Sequence, residues 1–437
     1  MQDWTGVSGE PYWWEAAPRP PRREALPKEA DVAVVGAGFT GLSAALALAR
    51  AGRKVAVLEA GLPGSGASSR NGGMVGSGHR VGFAQASALY GPELARALLR
   101  EGKAALDFTT RLIEEERVDC DFSRCGRFRG AWTAGHYEAM EREAEVQARE
   151  AGVEMLLVPK AEVGREVATE RYQGGCLFPS HGGLHPGKFH NGLLALAEAA
   201  GAGVFAEAPV LSIARAGSGY RIETGRGGLA AGQVLVATNG YQRPGPGIRP
   251  TPDLARRLVP VGSFLIATEP LGRNRVRSLI PGGRMIVETR SRHCYYRASP
   301  DGERLVIGGR AALHPAASTG RSGPRLLRIL QDLFPELRGV RVTHSWRGSV
   351  AMSRDGLPHL GQDREGLWYA LGYSGSGVAM APYLGHKAAL KLLGDAAGDS
   401  PFEKTPFRAV PLYAGKPWFL RPLEAWYRWK DLREGSP

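Results

Sequence analysis

A short apolar run, a glycine-rich turn and a helical pattern follow one another within residues 31–59. The run at 32–35 is apolar at every position, as in a strand that is buried on both faces. Apolar residues then recur at helical intervals from Leu42 to Ala49, Gly52 ends the helix, and a second strand is predicted at 54–58. The pattern predicts a unit of strand, turn, helix and strand in which the two strands are parallel.

Helical and strand-like patterns alternate along the rest of the chain. Helices are predicted at 92–117, 134–151, 189–200, 324–337 and 377–393. Strands are predicted at 233–238, 261–268, 284–288, 293–297, 304–309, 341–347 and 367–371, with a hairpin through 220–223 and a short strand that ends near Val210. Hairpin-length gaps between 261 and 309 predict an antiparallel meander. We therefore expect an α/β (α+β) fold that has a parallel sheet and an antiparallel sheet.

The turn after the first strand has the spacing GxGxxG. Gly36 permits the tight turn, Gly38 lets a pyrophosphate approach the backbone, and Gly41 lets the helix pack close to the strand. Glu59, about 20 residues further on, is placed to accept hydrogen bonds from an adenosine ribose, and Glu in place of Arg argues against a 2′-phosphate. A structural unit with an incidental glycine turn is the alternative, but the complete ordered set favours a dinucleotide site.

Two further glycine-rich segments suit a flavin. Residues 64–73, GSGASSRNGG, offer backbone amides and short donors to a second phosphate and a ring, unless they form a flexible linker. Residues 372–377, GYSGSG, join a strand to the last helix. A helix start carries about half a positive charge and would stabilise negative charge on the ring. A plain N-cap at Ser374 or Ser376 is the alternative.

The composition is that of a globular enzyme, with 437 residues of which 43% are hydrophobic. The formal net charge is +13, but Arg is interspersed with Asp and Glu, so we expect no nucleic-acid partner. The four cysteines form no CxxC pair and are expected to be reduced thiols of a cytoplasmic protein. His181, His185 and His190 are interpreted as part of a turn and not as a metal site. No second dinucleotide motif is present for NADPH, so electrons should come from an organic substrate.

Residues 1–28 lack the apolar core of a signal peptide, and no hydrophobic run follows Arg22 and Arg23. No stretch reaches the ~18 apolar residues of a spanning helix. We expect aromatic residues to hold this N-terminal arm on the body of the protein, namely Trp4, Tyr12, Trp13 and Trp14.

Together these motifs resemble the D-amino-acid-oxidase-like (DAO) family of FAD-dependent oxidoreductases, in particular its gamma-glutamylputrescine oxidase branch. The matching segments are GAGFTG with Glu59, GASSRNGG, GGLHPGKF, VLVATNG, WRGSVAMSRDGLPHLG, YALGYSGSGV and the tail at 416–422. The resemblance implies a Rossmann-like FAD-binding domain of the glutathione-reductase type, interleaved with an antiparallel-sheet substrate domain. The expected division is an arm at 1–28, the FAD-binding domain at 29–90, 150–245 and 340–395, the substrate domain at 91–149 and 246–339, and a tail at 396–437.

The resemblance also implies which residues hold FAD. Related enzymes that attach FAD covalently use a cysteine in the segment matching 346–355 or a histidine in the loop matching 68–72. This chain has neither, so we expect FAD to be non-covalent. The expected cofactor residues are Gly36, Gly38, Phe39, Thr40, Gly41, Glu59, Gly66, Ala67, Ser68, Arg70, Asn71, Gly72, Gly73, Val210, Thr238, Gly372, Gly375, Ser376, Gly377 and Val378.

Substrate contacts are expected from the meander. Alternation along 293–297 puts Tyr295 and Arg297 on one face of the strand, and Cys294 and Tyr296 on the other. Tyr295 matches a substrate-binding tyrosine of related enzymes, so Tyr295 and Arg297 are expected to bind substrate. Core packing of Tyr295 and a surface ion pair of Arg297 are the alternatives.

Relatives that oxidise small amino acids hold the α-carboxylate with arginines, whereas the matching positions here are Val350 and Gly375. We therefore expect the substrate to be a primary or secondary amine of the gamma-glutamyl-amine type. The resemblance implies oxidation of its C–N bond by hydride transfer to flavin N5, with oxygen as acceptor and hydrogen peroxide as product.

The alternative is a dehydrogenase of an amino or imino acid that passes electrons to a membrane quinone. The tail at 418–430, WFLRPLEAWYRWK, would then lie in the membrane interface. A cap packed on the FAD-binding domain is favoured, because Pro422 should interrupt the tail helix.

Overall fold

The computed structural model describes residues 4–19, 21, 24–242, 250–309, 312–314, 319–415 and 417–434. Arg22, Arg23 and Lys416, to which the sequence analysis refers, lie outside these residues. The helices are α1 (Trp13–Ala16), α2 (Phe39–Arg50), α3 (Phe83–Tyr90), α4 (Pro92–Glu115), α5 (Ala134–Val146), α6 (Pro186–Ala199), α7 (Pro252–Ala255), α8 (Arg273–Leu279), α9 (Thr319–Leu333), α10 (Gly377–Leu392) and α11 (Leu420–Arg433). The strands are β1 (Glu29–Val35), β2 (Val55–Leu58), β3 (Met74–Val75), β4 (Arg127–Gly130), β5 (Leu156–Pro159), β6 (Gly174–Phe178), β7 (Gly182–Gly183), β8 (Gly203–Phe205), β9 (Val210–Ala216), β10 (Gly219–Thr224), β11 (Gly227–Val236), β12 (Leu258–Thr268), β13 (Met285–Glu288), β14 (Cys294–Ala298), β15 (Leu305–Gly309), β16 (Val342–Ser353), β17 (His359–Gln362) and β18 (Trp368–Leu371).

The first sheet has the strand order β17-β18-β11-β1-β2-β8, and the hairpin of β9 and β10 extends it beside β11. β1 pairs in parallel with β2 and with β11, as predicted for the unit at 31–59. Its last four residues are buried, as their apolar pattern predicts. This sheet is the expected mixed α/β part of the fold.

Helices α2, α6 and α10 cover one face of the first sheet and share a hydrophobic core with α4. Gly385 of α10 lies so close to α2 that a Cβ there would stand 2.2 Å from the carbonyl oxygen of Thr40. The hydroxyl groups of Thr40 and Tyr373 also lie 2.7 Å apart. These contacts fix α10 against the first turn of α2.

The second sheet has the strand order β16-β12-β15-β14-β13-β4-β6-β5. Its pairs are antiparallel except for β4 with β13, which confirms the antiparallel prediction for β12 to β15. Helices α8 and α9 contribute to the core that covers this sheet.

Some element bounds differ from the prediction. Val210 begins β9 and does not end a strand, because it pairs with Thr224 in the hairpin. Helix α6 begins at Pro186, where the missing N–H of proline would have no helical acceptor. Helix α9 begins before Pro324, and β16 continues to Ser353 because β12 pairs with it throughout.

Sheet membership also departs from the expected division into domains. β5 and β6, within 150–245, and β16, within 340–395, belong to the second sheet. Helix α4, within 91–149, packs against α10, which covers the first sheet. An amphipathic pattern indicates that one face is buried but does not say which element covers it, so the sequence alone does not show which sheet these segments join.

The C-terminal helix α11 contradicts two expectations. Pro422 does not interrupt it, because the residue lies in the first helical turn, where proline is tolerated. The helix docks on the second sheet and not on the first, since Leu420 packs with Val259 and Asp431 accepts a hydrogen bond from Arg292 Nε at 2.7 Å. Along the described part of the chain, no helix has both the length and the apolarity of a membrane span.

Candidate active site

The glycine turn between β1 and α2 has the geometry that its spacing predicts. Gly36 has a φ of 106°, in the left-handed region that favours glycine. A Cβ on Gly41 would stand 1.9 Å from the Gly36 carbonyl oxygen, and one on Gly38 would stand 2.9 Å from Ser68 Oγ. The absence of side chains therefore allows both α2 and the following loop to approach the turn.

Glu59 follows β2 and faces the glycine turn. Its Oε2 accepts the backbone N–H of Ala37 at 2.9 Å, and its Oε1 accepts that of Gly61 at 3.1 Å. Burial raises the pKa of this carboxyl, against the effect of its backbone hydrogen bonds. The carboxylate is thus fixed in a position that suits the expected ribose contact.

The loop at 64–73 folds over the glycine turn. It contains a 3-10 turn, Ala67–Ser69, and Ser68 Oγ accepts the backbone N–H of Phe39 at 3.0 Å. The Asn71 amide donates to two carbonyls of the loop and accepts a backbone N–H two residues further on. These bonds order the loop, so it is not a flexible linker.

Three tryptophans hold the 64–73 loop from outside. Trp13 Nε1–H donates to the carbonyl of Asn71 at 2.8 Å, and Trp14 Nε1–H donates to a serine hydroxyl of the loop at 2.9 Å. From β16, Trp346 Nε1–H donates to the carbonyl of Arg70 at 3.0 Å. The aromatic residues of the arm thus hold it on the body, as predicted, and they support the loop directly.

The glycine turn, Glu59 and the 64–73 loop line a first cavity of about 450 Å³. The starts of α2 and α10 also line it, and the first N–H groups of a helix have no acceptor within that helix. Most of the expected cofactor residues line this cavity: Gly36, Gly38, Phe39, Thr40, Glu59, Gly66, Ala67, Ser68, Asn71, Val210, Thr238, Gly375, Gly377 and Val378.

A second cavity of about 470 Å³ adjoins the first. Three expected cofactor residues, Arg70, Gly72 and Ser376, line only this second cavity. We define the junction as the residues that line both cavities. Seven described residues form it, and none is charged: Ala67, Asn71, Ser349, Val350, Ser374, Gly375 and Val378.

Three of the expected cofactor residues line neither cavity. Gly41 packs beneath the glycine turn, and a Cβ on Gly73 would stand 2.1 Å from the carbonyl oxygen of Leu184. The N–H of Gly372 donates to Asn239 Oδ1 at 2.9 Å. These three glycines shape the backbone that carries the lining residues. Their positions either leave no space for a side chain or lie behind the surface of the cavity.

The two expected substrate residues have different surroundings. Tyr295 lines the second cavity, its hydroxyl lies 3.3 Å from Ser263 Oγ, and burial raises its pKa to about 12. Arg297 is buried beneath the 64–73 loop, where its Nη1 donates to the carbonyls of Gly72 and Leu184. Arg297 therefore lines neither cavity and makes no surface ion pair. Its donors hold the loop, and its expected contact with substrate stays a prediction.

Most charged side chains of the second cavity were not predicted from the sequence. Arg127 and Arg129 alternate with Phe128 on β4 and line the cavity together with Glu143. Arg129 Nη1 pairs with Glu143 at 2.8 Å, whereas the Arg127 guanidinium stacks on Phe178. The alternation RFRG was the available signal, but this strand lies between two long helical patterns and was not assigned.

The three histidines considered as a turn lie in different environments. His185 is the N-cap of α6, since its Nδ1 accepts the N–H of Lys188 at 3.0 Å. His190 lies within α6, and its Nε2 is 2.8 Å from the carbonyl oxygen of Ala37. Within the residues that the structure describes, no group of three or more His, Cys, Asp or Glu is arranged to hold a metal.

The first cavity fits FAD by its donors and acceptors. The buried Glu59 carboxylate can accept hydrogen bonds from ribose hydroxyls, and the start of α2 can bind phosphate. At the junction, the start of α10 can stabilise negative charge on a flavin ring. The glycines of the turn carry no side chains, so the ligand can reach the backbone there.

Comparisons with known proteins find matches over most of the chain. The family model "DAO: FAD dependent oxidoreductase" matches residues 31–390. A probable oxidoreductase, OrdL, of Rhizobium meliloti (strain 1021) is 32% identical over 390 residues, which cover 87% of this chain and 88% of that protein. The gamma-glutamylputrescine oxidoreductase of Escherichia coli (strain K12) is 32% identical over 384 residues, with coverage of 87% and 88%.

The fold also resembles that of solved structures. The crystal structure of glycine oxidase from Geobacillus kaustophilus superposes with a TM-score of 0.70 at 24% sequence identity, covering 89% of this chain and 100% of that chain. This likeness concerns the arrangement of the two sheets and their helices. The match over most of the sequence shows that the chain belongs to the DAO family of FAD-dependent oxidoreductases.

Proposed function

We propose that this protein oxidises the C–N bond of a primary or secondary amine on a longer chain, as in a gamma-glutamyl amine. Bound FAD would accept the hydride at N5 and pass the electrons to oxygen, giving hydrogen peroxide. The observation that carries the proposal is the uncharged junction between the two cavities.

The junction disfavours a simple α-amino acid. Such a substrate, with its α-carbon at the flavin, would put its carboxylate beside Val350 and Gly375, where the described lining residues carry no charge. A buried carboxylate without a partner costs on the order of several kcal/mol. A carbon that bears only the amine avoids this cost.

The second cavity offers space for the rest of the substrate. Its volume of about 470 Å³ lies within the range of small-molecule sites. Its charged lining residues, among them Arg127, Arg129 and Glu143, lie outside the junction. This arrangement suits a chain whose polar group is remote from the reacting carbon. The name of the Escherichia coli relative describes such a substrate, whereas that of the Geobacillus relative describes glycine.

A peroxide-coupled screen tests the proposal. The substrates are polyamines, gamma-glutamyl amines, N-methyl amines, proline and pipecolate, and small amino acids. We expect a gamma-glutamyl amine to have the highest kcat/KM. Val350→Arg would place a cation at the junction and should raise the relative kcat/KM for glycine, whereas the uncharged control Val350→Gln should not. Glycine or alanine as the best wild-type substrate would overturn the proposal.

A membrane quinone is a second candidate acceptor, favoured by the outer face of α11. Trp426 and Trp429 are 52% and 50% exposed, and basic residues of the same helix are exposed beside them. Helices that lie in a membrane interface combine aromatic and basic residues in this way. Sedimentation with anionic vesicles would compare wild type with Trp426→Ser/Trp429→Ser, which leaves the docked Asp431 in place. Turnover with a quinone in the strict absence of oxygen would distinguish the two acceptors.

A further inference from the structure

Arg127 on β4 is a cation without an anionic partner. Among the described residues it makes no ion pair, and its buried Nε has no hydrogen-bond acceptor. Its close contact is with the ring of Phe178, whose centroid lies 4.9 Å from the guanidinium carbon. Burial, with a smaller effect of Arg129, lowers the pKa of Arg127 to about 10. The guanidinium therefore still carries its charge at neutral pH.

Neighbouring arginines of the second sheet have carboxylate partners. Arg290 makes a paired contact with Glu288, and Arg292 Nε lies 2.7 Å from an oxygen of Asp431. Arg129 is paired with Glu143, so the Glu143 carboxylate already has a cationic partner. A buried charge is costly unless it is paired. Arg127 has no such carboxylate among the described residues and lines the second cavity, which indicates that its partner is a ligand.

A second unused donor lies beside Arg127. A Cβ on Gly76 would stand 3.0 Å from both Arg127 Nη1 and His181 Nδ1. His181 Nε2 accepts the backbone N–H of Ser77 at 3.1 Å, and burial lowers the pKa of the ring well below its usual value. The neutral ring must then carry its proton on Nδ1, and this buried nitrogen also has no partner. Two donors thus adjoin one another at Gly76.

We propose that Arg127 binds a carboxylate at the end of the substrate remote from the amine, with His181 Nδ1–H as a supporting donor. The inference rests on the proposed amine oxidation and assigns the specificity of the same site. Arg127 lines the second cavity and not the junction, so the anchored end is separate from the reacting carbon. One guanidinium balances one carboxylate, and its planar donors suit that group.

Binding of glutarate tests the assignment without turnover. Glutarate is a dicarboxylate with no amine to oxidise, and its Kd can be measured from changes in flavin absorbance of the holoenzyme. Because loss of one member of a buried charge pair is costly, Arg127→Gln should raise this Kd by about 100-fold. Arg53→Gln is the matched control, since it removes the same charge from an exposed position that lines neither cavity. We expect the control to change the Kd by less than about threefold.

Thermal stability separates a ligand-binding role from a structural one. In the absence of ligand, Arg127→Gln removes a half-buried charge that has no ion pair within the described part of the chain and should raise Tm, whereas a structural stacking role on Phe178 would lower it. An unchanged glutarate Kd together with a lowered Tm would overturn the proposal. If Arg127→Gln does not fold, Arg127→Lys keeps the charge but not the paired donors. A tenfold or greater rise in its Kd would support the proposal, and an unchanged Kd would overturn it.

The two proposals can fail separately. If wild type oxidises amines but Arg127→Gln keeps its affinity for glutarate, the carboxylate assignment is wrong and the proposed function stands. If glutarate binding requires Arg127 but no amine in the screen is oxidised, the proposed function is wrong and the anion site stands. A final comparison uses a carboxylated amine and its carboxamide. Wild type should prefer the acid in kcat/KM, and Arg127→Gln should not.

Discussion

Single residues beside the two cavities owe their protonation state to burial. His185 shows this most simply, since its ring packs edge-on against Trp13 with centroids 5.1 Å apart and its Nδ1 caps α6. Burial lowers the pKa of His185 to about 4. The folded protein therefore holds this ring neutral at a pH where the unfolded chain would protonate it.

We expect the stability contributed by neutral His185 to be present above pH ~6.5 and lost as the pH falls toward about 4. In that window the unfolded chain binds a proton that the folded chain does not, so the free energy of unfolding decreases. His185→Asn keeps an N-cap acceptor but cannot titrate. Its loss of unfolding free energy between pH 7 and 5 should be smaller than that of wild type by about 2 kcal/mol. Urea unfolding at both pH values measures this, and equal losses would contradict the prediction.

The residue roles that could be predicted are those set by local backbone. Gly36 and Gly41 were predictable because a tight turn and a close helix leave no space for a side chain. The roles of Arg127 and Arg297 were not, because the sequence does not show which groups surround a buried guanidinium. Both arginines lie in alternating strands, yet one faces a cavity and the other supports a loop.

Among the elements, the short helix α1 has the most direct effect on the cofactor site. Its two tryptophan N–H groups hold the 64–73 loop, and an intramolecular hydrogen bond contributes about 1 kcal/mol. Trp13→Phe/Trp14→Phe keeps aromatic rings but removes both donors, so we expect the Kd for FAD to rise by about 10-fold. Flavin fluorescence during dilution of the holoenzyme measures this.

Trp426→Phe provides the matched control for that variant. Trp426 is half exposed on α11, and its replacement should leave the Kd for FAD unchanged. Equal retention of FAD by the double variant and by wild type would show that α1 does not support the loop.

Helices and strands with a clear hydrophobic period could be predicted, but the elements that pair or pack with them could not. The bounds of α10 and the strands β12 to β15 follow closely from the sequence pattern. β4, β5 and β6 were not recognised as strands of the second sheet, because short strands acquire their neighbours only through tertiary pairing. The fold class was therefore predictable, whereas the membership of the second sheet was not.

For the molecule as a whole, we expect FAD to be released on denaturation. No cysteine is among the described residues that line either cavity. Cys294 is buried on the face of β14 opposite Tyr295, and burial raises its pKa to about 12, which makes it a poor nucleophile. Acid precipitation should leave a colourless pellet and a yellow supernatant. Absorbance near 450 nm is the ordinary measure of flavin, and flavin that stayed with the pellet would contradict non-covalent binding.

The strand order of the first sheet has a consequence for how the protein is made. β1 and α2 are synthesised early, but β1 lies between β2 and β11, and β11 leaves the ribosome much later. Until then one edge of an apolar strand is unpaired, a condition that promotes aggregation. The junction needs α10, which is synthesised later still. FAD loading should therefore follow translation, so the nascent chain passes through synthesis without stabilisation by its cofactor.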